Sequence, residues 1–84
     1  MKPLTPYGRM AETHWRQFLP RMTAQLEASG QLHAMLLEAE EQTEADLDSL
    51  RRHFIQQELT PQQAHDRAWE IVRERYLFLP PETD

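Results

Sequence analysis

Eighty-four residues carry nine basic and fourteen acidic side chains, a formal charge of −5, and no cysteine. That length makes one domain, whose core removes only roughly 60–65 % of the unfolded chain's surface from water, so burial leaves modest stability. The missing cysteines exclude disulfides, thiol catalysis and cysteine-ligated zinc, which accords with a cytoplasmic protein.

The acidic charge is concentrated. Six carboxylates and no basic residue lie between Glu38 and Asp48, so the rest of the chain sums to about +1. Eight of the nine cations are arginine, whose planar guanidinium suits carboxylate pairing. On an acidic chain this favours ion pairs within or between proteins, and direct nucleic-acid binding is not expected. Residues Met1–Met10 hold no apolar h-region, so no signal peptide is expected. No run reaches the ~18 apolar residues of a membrane span, so no membrane partner is expected either.

In chain order, Pro3 and Pro6 bias the residues before them away from helix, predicting an extended lead-in over 1–8 with a turn at Tyr7-Gly8. A first helix follows from about Arg9 to Leu19, with Ala11, Trp15, Phe18 and Leu19 on one side and Glu12 facing Arg16 at i,i+4. Pro20 stops or kinks it. Met22 and Leu26 continue the stripe to Ser29-Gly30, where glycine suits the position after a helix end. The pattern leaves open whether Pro20 divides one kinked helix or two separate ones.

A long helix is predicted over about 31–57, with Leu32, Leu36, Ala39, Thr43, Leu47, Leu50 and Phe54 at steps of three and four. Met35, Leu37 and Ile55 widen its apolar face near the ends, while Ala39, Thr43 and Ala45 leave the middle thin. Thr60-Pro61-x-Gln63 then has the form of a capping box with proline at the first helical position. The helix it opens runs to about Leu77, with Ala64, Ala68, Ile71, Val72 and Tyr76 facing inward. Pro80-Pro81 closes the ordered chain, leaving an extended acidic tail over 78–84. The expected fold class is all-α: a single domain over 1–84, a small bundle of three to four helices with one long central helix and a Pro-kinked N-terminal hairpin.

Candidate chemistry is sparse. His14, His33, His53 and His65 have no His, Asp or Glu at i±3 or i±4, so none opens a local metal site. The only glycines are Gly8 and Gly30, which provide no phosphate-cradling loop. The carboxylates Glu40, Glu41 and Glu44 read as solvated, without the apolar burial that tunes a catalytic acid. No enzyme, catalytic residue, metal or cofactor is expected.

Two candidate partner-binding features remain. Glu40, Glu44 and Asp48, flanked by Glu41, form an i,i+4 row with carboxylates about 6 Å apart along the axis. Such a row imitates a phosphate backbone, although a solvated outer face is the plainer reading of a charge run. Trp15 and Trp69 are the aromatic residues suited to anchor a partner, although Trp15, Phe18, Trp69 and Tyr76 are first of all what so short a chain needs for its core. Lys2, Arg9, Arg16 and Arg21 make a weakly basic N-terminal third, complementary to the acidic stretch of a second copy in an antiparallel homodimer.

The run Gly8-Arg9-Met10, then His14-Trp15, Pro20, Leu26, Ser29-Gly30, Leu32 and Leu36, resembles small transposon-encoded proteins of the TnpV type. The resemblance covers about the first half of the chain. The second half departs from it at Thr60-Pro61 and over Leu77-Phe78-Leu79-Pro80-Pro81-Glu82. It implies a phage or mobile-element setting and carries no catalytic residue onto this chain. The resulting expectation is a non-enzymatic protein–protein interaction module. The alternatives are an acidic nucleic-acid mimic that inhibits a host nuclease or defence complex, and a helix-turn-helix accessory protein.

Overall fold

The structure is a computed structural model that describes residues 2–82. Among these residues the chain forms four α-helices and no strand: α1 (Pro6–Phe18), α2 (Pro20–Ala28), α3 (Leu32–Gln56) and α4 (Pro61–Tyr76). The all-α bundle with one long helix is as expected. Met1, Thr83 and Asp84, the outer ends of the expected lead-in and tail, lie outside the described residues.

Each boundary has a local cause. Pro6 occupies the first turn of α1 behind an extended Thr5, so helix begins where the sequence reading placed the lead-in and turn. Proline has no N–H to lose there, and its fixed φ already suits a helix. Pro20 separates two helices: Leu19 between them adopts φ −129° and ψ 53°. An interior proline would have removed a hydrogen bond and crowded the preceding turn. At the end of α2, Gly30 takes φ +74°, while its N–H donates to the Glu27 carbonyl and that of Gln31 to the Leu26 carbonyl. These are the paired bonds of a Schellman close. α3 ends the same way on Glu58 at φ +69°, with N–H bonds from Glu58 to Ile55 O and from Leu59 to Phe54 O. The capping box opens α4 as predicted, with reciprocal bonds between Thr60 and Gln63.

α3 and α4 form an antiparallel hairpin; near its base, Asp46 accepts from Arg75 and Tyr76. α4 buries Ala64, Ala68 and Val72, small side chains that let two helix axes come close. Thr43 is fully buried and directs its hydroxyl to the Ala39 carbonyl at 2.8 Å, so the thin middle of α3 packs with no orphaned polar atom. Ala11 and Trp15 of α1 join Leu32, Leu36, Ala39 and Leu77 in the larger core cluster. Leu47, Ala68 and Val72 form the smaller one, and Tyr7, Trp69 and Tyr76 bridge both.

Four residues expected on apolar faces lie outside. Phe18, Ile71, Met35 and Ile55 are each more than a third exposed, because α1, α4 and the ends of α3 bury a narrower stripe than their apolar residues span. The Cα envelope measures 46 × 33 × 14 Å, with a radius of gyration of 14.4 Å, against about 12 Å for a compact chain of this length. The protein is a thin plate.

The sharpest departure is at the C-terminus. Residues 77–82 are not a free tail; they run back across α1 to the start of α2. Leu77 is fully buried, Trp15 Nε1 donates to the Leu77 carbonyl at 3.1 Å, and the Glu82 N–H donates to the Phe18 carbonyl at 2.9 Å.

Candidate interaction surface

The acidic row does not exist as a continuous exposed face. Glu40, read from the sequence as solvated, is 2 % exposed. Its Oε2 accepts both the N–H and the hydroxyl of Thr5, each at 2.8 Å. Thr5 is the N-cap residue of α1 but makes no side-chain cap of its own; its hydroxyl is committed to Glu40 instead. The start of a helix carries partial positive charge from unpaired N–H groups, which a nearby carboxylate stabilises. Glu40 therefore binds α1 to the middle of α3.

The other members of the row have separate fates. Asp48 pairs with Arg52 at 2.6 Å and stands 4.0 Å from Arg51. Glu41 lies 3.9 Å from Lys2, both well exposed, and Glu44 is exposed. Arg16 is shared by Glu12 and Glu27, both at 2.9 Å, and these carboxylates raise its already high pKa. Lys2 and Arg16 are thus matched within their own chain, which removes part of the charge argument for an antiparallel homodimer.

Neither tryptophan offers a free anchor. Trp15 is buried and hydrogen-bonded to the tail. Trp69 is half-buried, its ring 5.5 Å from that of Tyr7 and edge-on to Phe78 at 6.1 Å. His14 Nε2 lies 2.8 Å from the Leu79 carbonyl; a carbonyl only accepts, so that nitrogen carries the proton. His33 is placed likewise, 2.6 Å from the Lys2 carbonyl. Among the described residues, no group of three or more His, Asp or Glu side chains is placed to hold a metal ion, and no helix is long and apolar enough to cross a membrane.

The feature that sequence reading missed is a groove of about 300 Å³ between α2, α3 and the returning tail. Trp15 and Ala39 line its base; Met22 and Leu26 of α2, Met35 of α3 and Leu79 of the tail supply apolar surface; Glu38, Gln42 and Arg75 add polar groups. Met35 is 39 % exposed. Arg75 is already matched by Asp46 at 3.2 Å, whereas Glu38 has no ion-pair partner among the described residues. The groove therefore combines adaptable thioether walls with one unmatched carboxylate. Met22, Leu26 and Met35 were legible only as parts of helical stripes, because the groove depends on where the tail docks.

Comparison of the chain with protein-family models, curated proteins and solved structures finds no match.

Proposed function

We propose that this chain is a non-enzymatic protein-interaction module, in the mobile-element setting that its N-terminal half suggests, and that its contact site is the Met22–Met35 groove. The occupant is an apolar side chain on a helical segment of a partner protein, flanked there by Lys or Arg. The observation that carries this reading is the groove itself. Methionine walls adapt to the shape of an inserted side chain, apolar contact supplies affinity, and the unmatched Glu38 selects a cation beside the anchor. The overall charge of −5 steers a basic partner toward it. The acidic-mimic reading loses its support with Glu40 buried and Asp48 neutralised.

The test is a titration of isotope-labelled protein with two synthetic amphipathic helices that share a leucine face and carry either Lys or Glu on the polar face. The lysine version should shift the Met22 and Met35 methyl resonances saturably. Met35→Glu, at an exposed position, should abolish the Met22 shift with the helical circular dichroism unchanged. Equal response to both peptides, or shifts confined to Met10 on the outer face of α1, would overturn the assignment.

A further inference from the structure

α2 is the least anchored helix. Of its nine residues only Thr23 is buried, and its N-cap residue, Leu19, provides no side-chain cap. It is bounded by two breaks, one at Leu19-Pro20 and the other at Ser29-Gly30, where Gly30 adopts positive φ. The carboxylate of Glu82, sixty residues away, supplies the missing cap: Oε1 accepts the Arg21 N–H at 3.0 Å and Oε2 the Met22 N–H at 2.9 Å. The N–H of Glu82 donates to the Phe18 carbonyl at the end of α1. One residue therefore bridges the last turn of α1 and the first turn of α2.

The strap that carries Glu82 is pinned upstream by Trp15 on the Leu77 carbonyl and His14 on the Leu79 carbonyl. Its Leu79 lines the same groove as the α2 residues Met22 and Leu26.

We infer that residues 77–82 form a clasp, and that Glu82 holds α2 as the movable wall of the groove. With the clasp closed, Met22, Leu26 and Leu79 stand in register over Trp15. With it open, the first amides of α2 lose their acceptor and the helix turns on its two breaks, while Glu40 keeps α1 fixed to α3. Lifting the tail then removes one wall of the binding groove. The consequence for binding rests on the function proposed above; the clasp itself does not.

Amide hydrogen exchange on the full chain tests the clasp, with wild type, Glu82→Ala, Glu82→Gln and the control Glu41→Ala. In Glu82→Ala, α2 amides should exchange about tenfold faster or more, with wild-type protection retained in α3 and α4, as expected of local opening. Glu82→Gln keeps one carbonyl acceptor and should fall between, and Glu41→Ala should match wild type. Affinity for the lysine-faced helix should fall in Glu82→Ala by the same factor as the closed fraction, about tenfold where α2 stands open roughly nine-tenths of the time. Unchanged α2 exchange, or equal loss of protection in all four helices, would overturn the clasp. If α2 loosens selectively in Glu82→Ala but wild type ignores the peptide, the groove reading fails and the clasp stands. If wild type binds while α2 exchange is unmoved by the substitution, the clasp alone fails.

Discussion

Gly8 and Glu40 share one small space between α1 and α3. A Cβ built on Gly8 would stand 2.5 Å from Glu40 Oε2, 2.9 Å from Leu4 Cδ2 and 3.1 Å from Leu4 Cβ. Gly8 is buried within a helix, where alanine would ordinarily gain up to ~1 kcal/mol in propensity. Here the added methyl meets a carboxylate held by two hydrogen bonds and the base of Leu4. Gly8→Ala should therefore destabilise by about 1–3 kcal/mol, the usual range for overpacking. Urea unfolding followed at 222 nm measures it. In a Glu40→Ala background the same change should cost less or become stabilising, and a double-mutant cycle with no coupling would show that the two residues do not compete for this space.

Glu40 differs from its neighbours in burial, and stability measurements separate them. Glu40→Ala leaves the Thr5 N–H and hydroxyl without their acceptor and should cost about 1–3 kcal/mol. Glu41→Gln and Glu44→Gln, both exposed, should each stay within about 0.5 kcal/mol of wild type. Equal effects at all three positions would restore the picture of a uniform acidic face.

What the sequence made legible was local. The capping box at Thr60–Gln63, the break at Pro20 and the glycine close at Ser29-Gly30 depend on neighbouring residues, and all are found. The burial of Glu40 depends on Gly8, thirty-two positions earlier, and nothing in the intervening chain signals that pairing. The docked tail was hidden for the same reason. Pro80-Pro81 forbids helix and reads as an end, yet an extended segment is the form that can lie along α1 and deliver Glu82 to α2. The groove, composed of side chains from three separated segments, was out of reach until the tail was placed.

The two Schellman closes offer a matched test of local reading. Gly30 and Glu58 adopt nearly the same left-handed φ, a conformation that costs a side-chain-bearing residue roughly 1–2 kcal/mol. Gly30→Ala should destabilise by about 1 kcal/mol; its position is open to solvent, so the loss comes from backbone conformation and not from crowding. Glu58→Gly should raise stability by about 0.5–1 kcal/mol, since the strain relieved exceeds the added freedom of the unfolded chain. Thermal unfolding of both variants checks the pair, and a destabilised Glu58→Gly protein would mean that the Glu58 side chain makes compensating interactions.

The last prediction concerns the base of the α3–α4 hairpin, where the Tyr76 hydroxyl donates to Asp46 Oδ2 at 2.8 Å. That hydrogen bond, with smaller contributions from desolvation and the carboxylate's charge, raises the phenol pKa above its ordinary value of 10.0. The bond exists only while the phenol keeps its proton. A group whose pKa is raised on folding contributes its stability in full below the unfolded value and loses it as pH climbs through the folded one. The Tyr76–Asp46 contribution should therefore be constant across neutral pH and disappear only above about pH 10. Absorbance at 295 nm, followed in a Tyr7→Phe background so that Tyr76 alone reports, should show the raised titration. Asp46→Asn should move that titration down by removing the charged acceptor, and should flatten the loss of stability at alkaline pH. A titration that Asp46→Asn leaves in place would mean that Asp46 does not hold the Tyr76 proton.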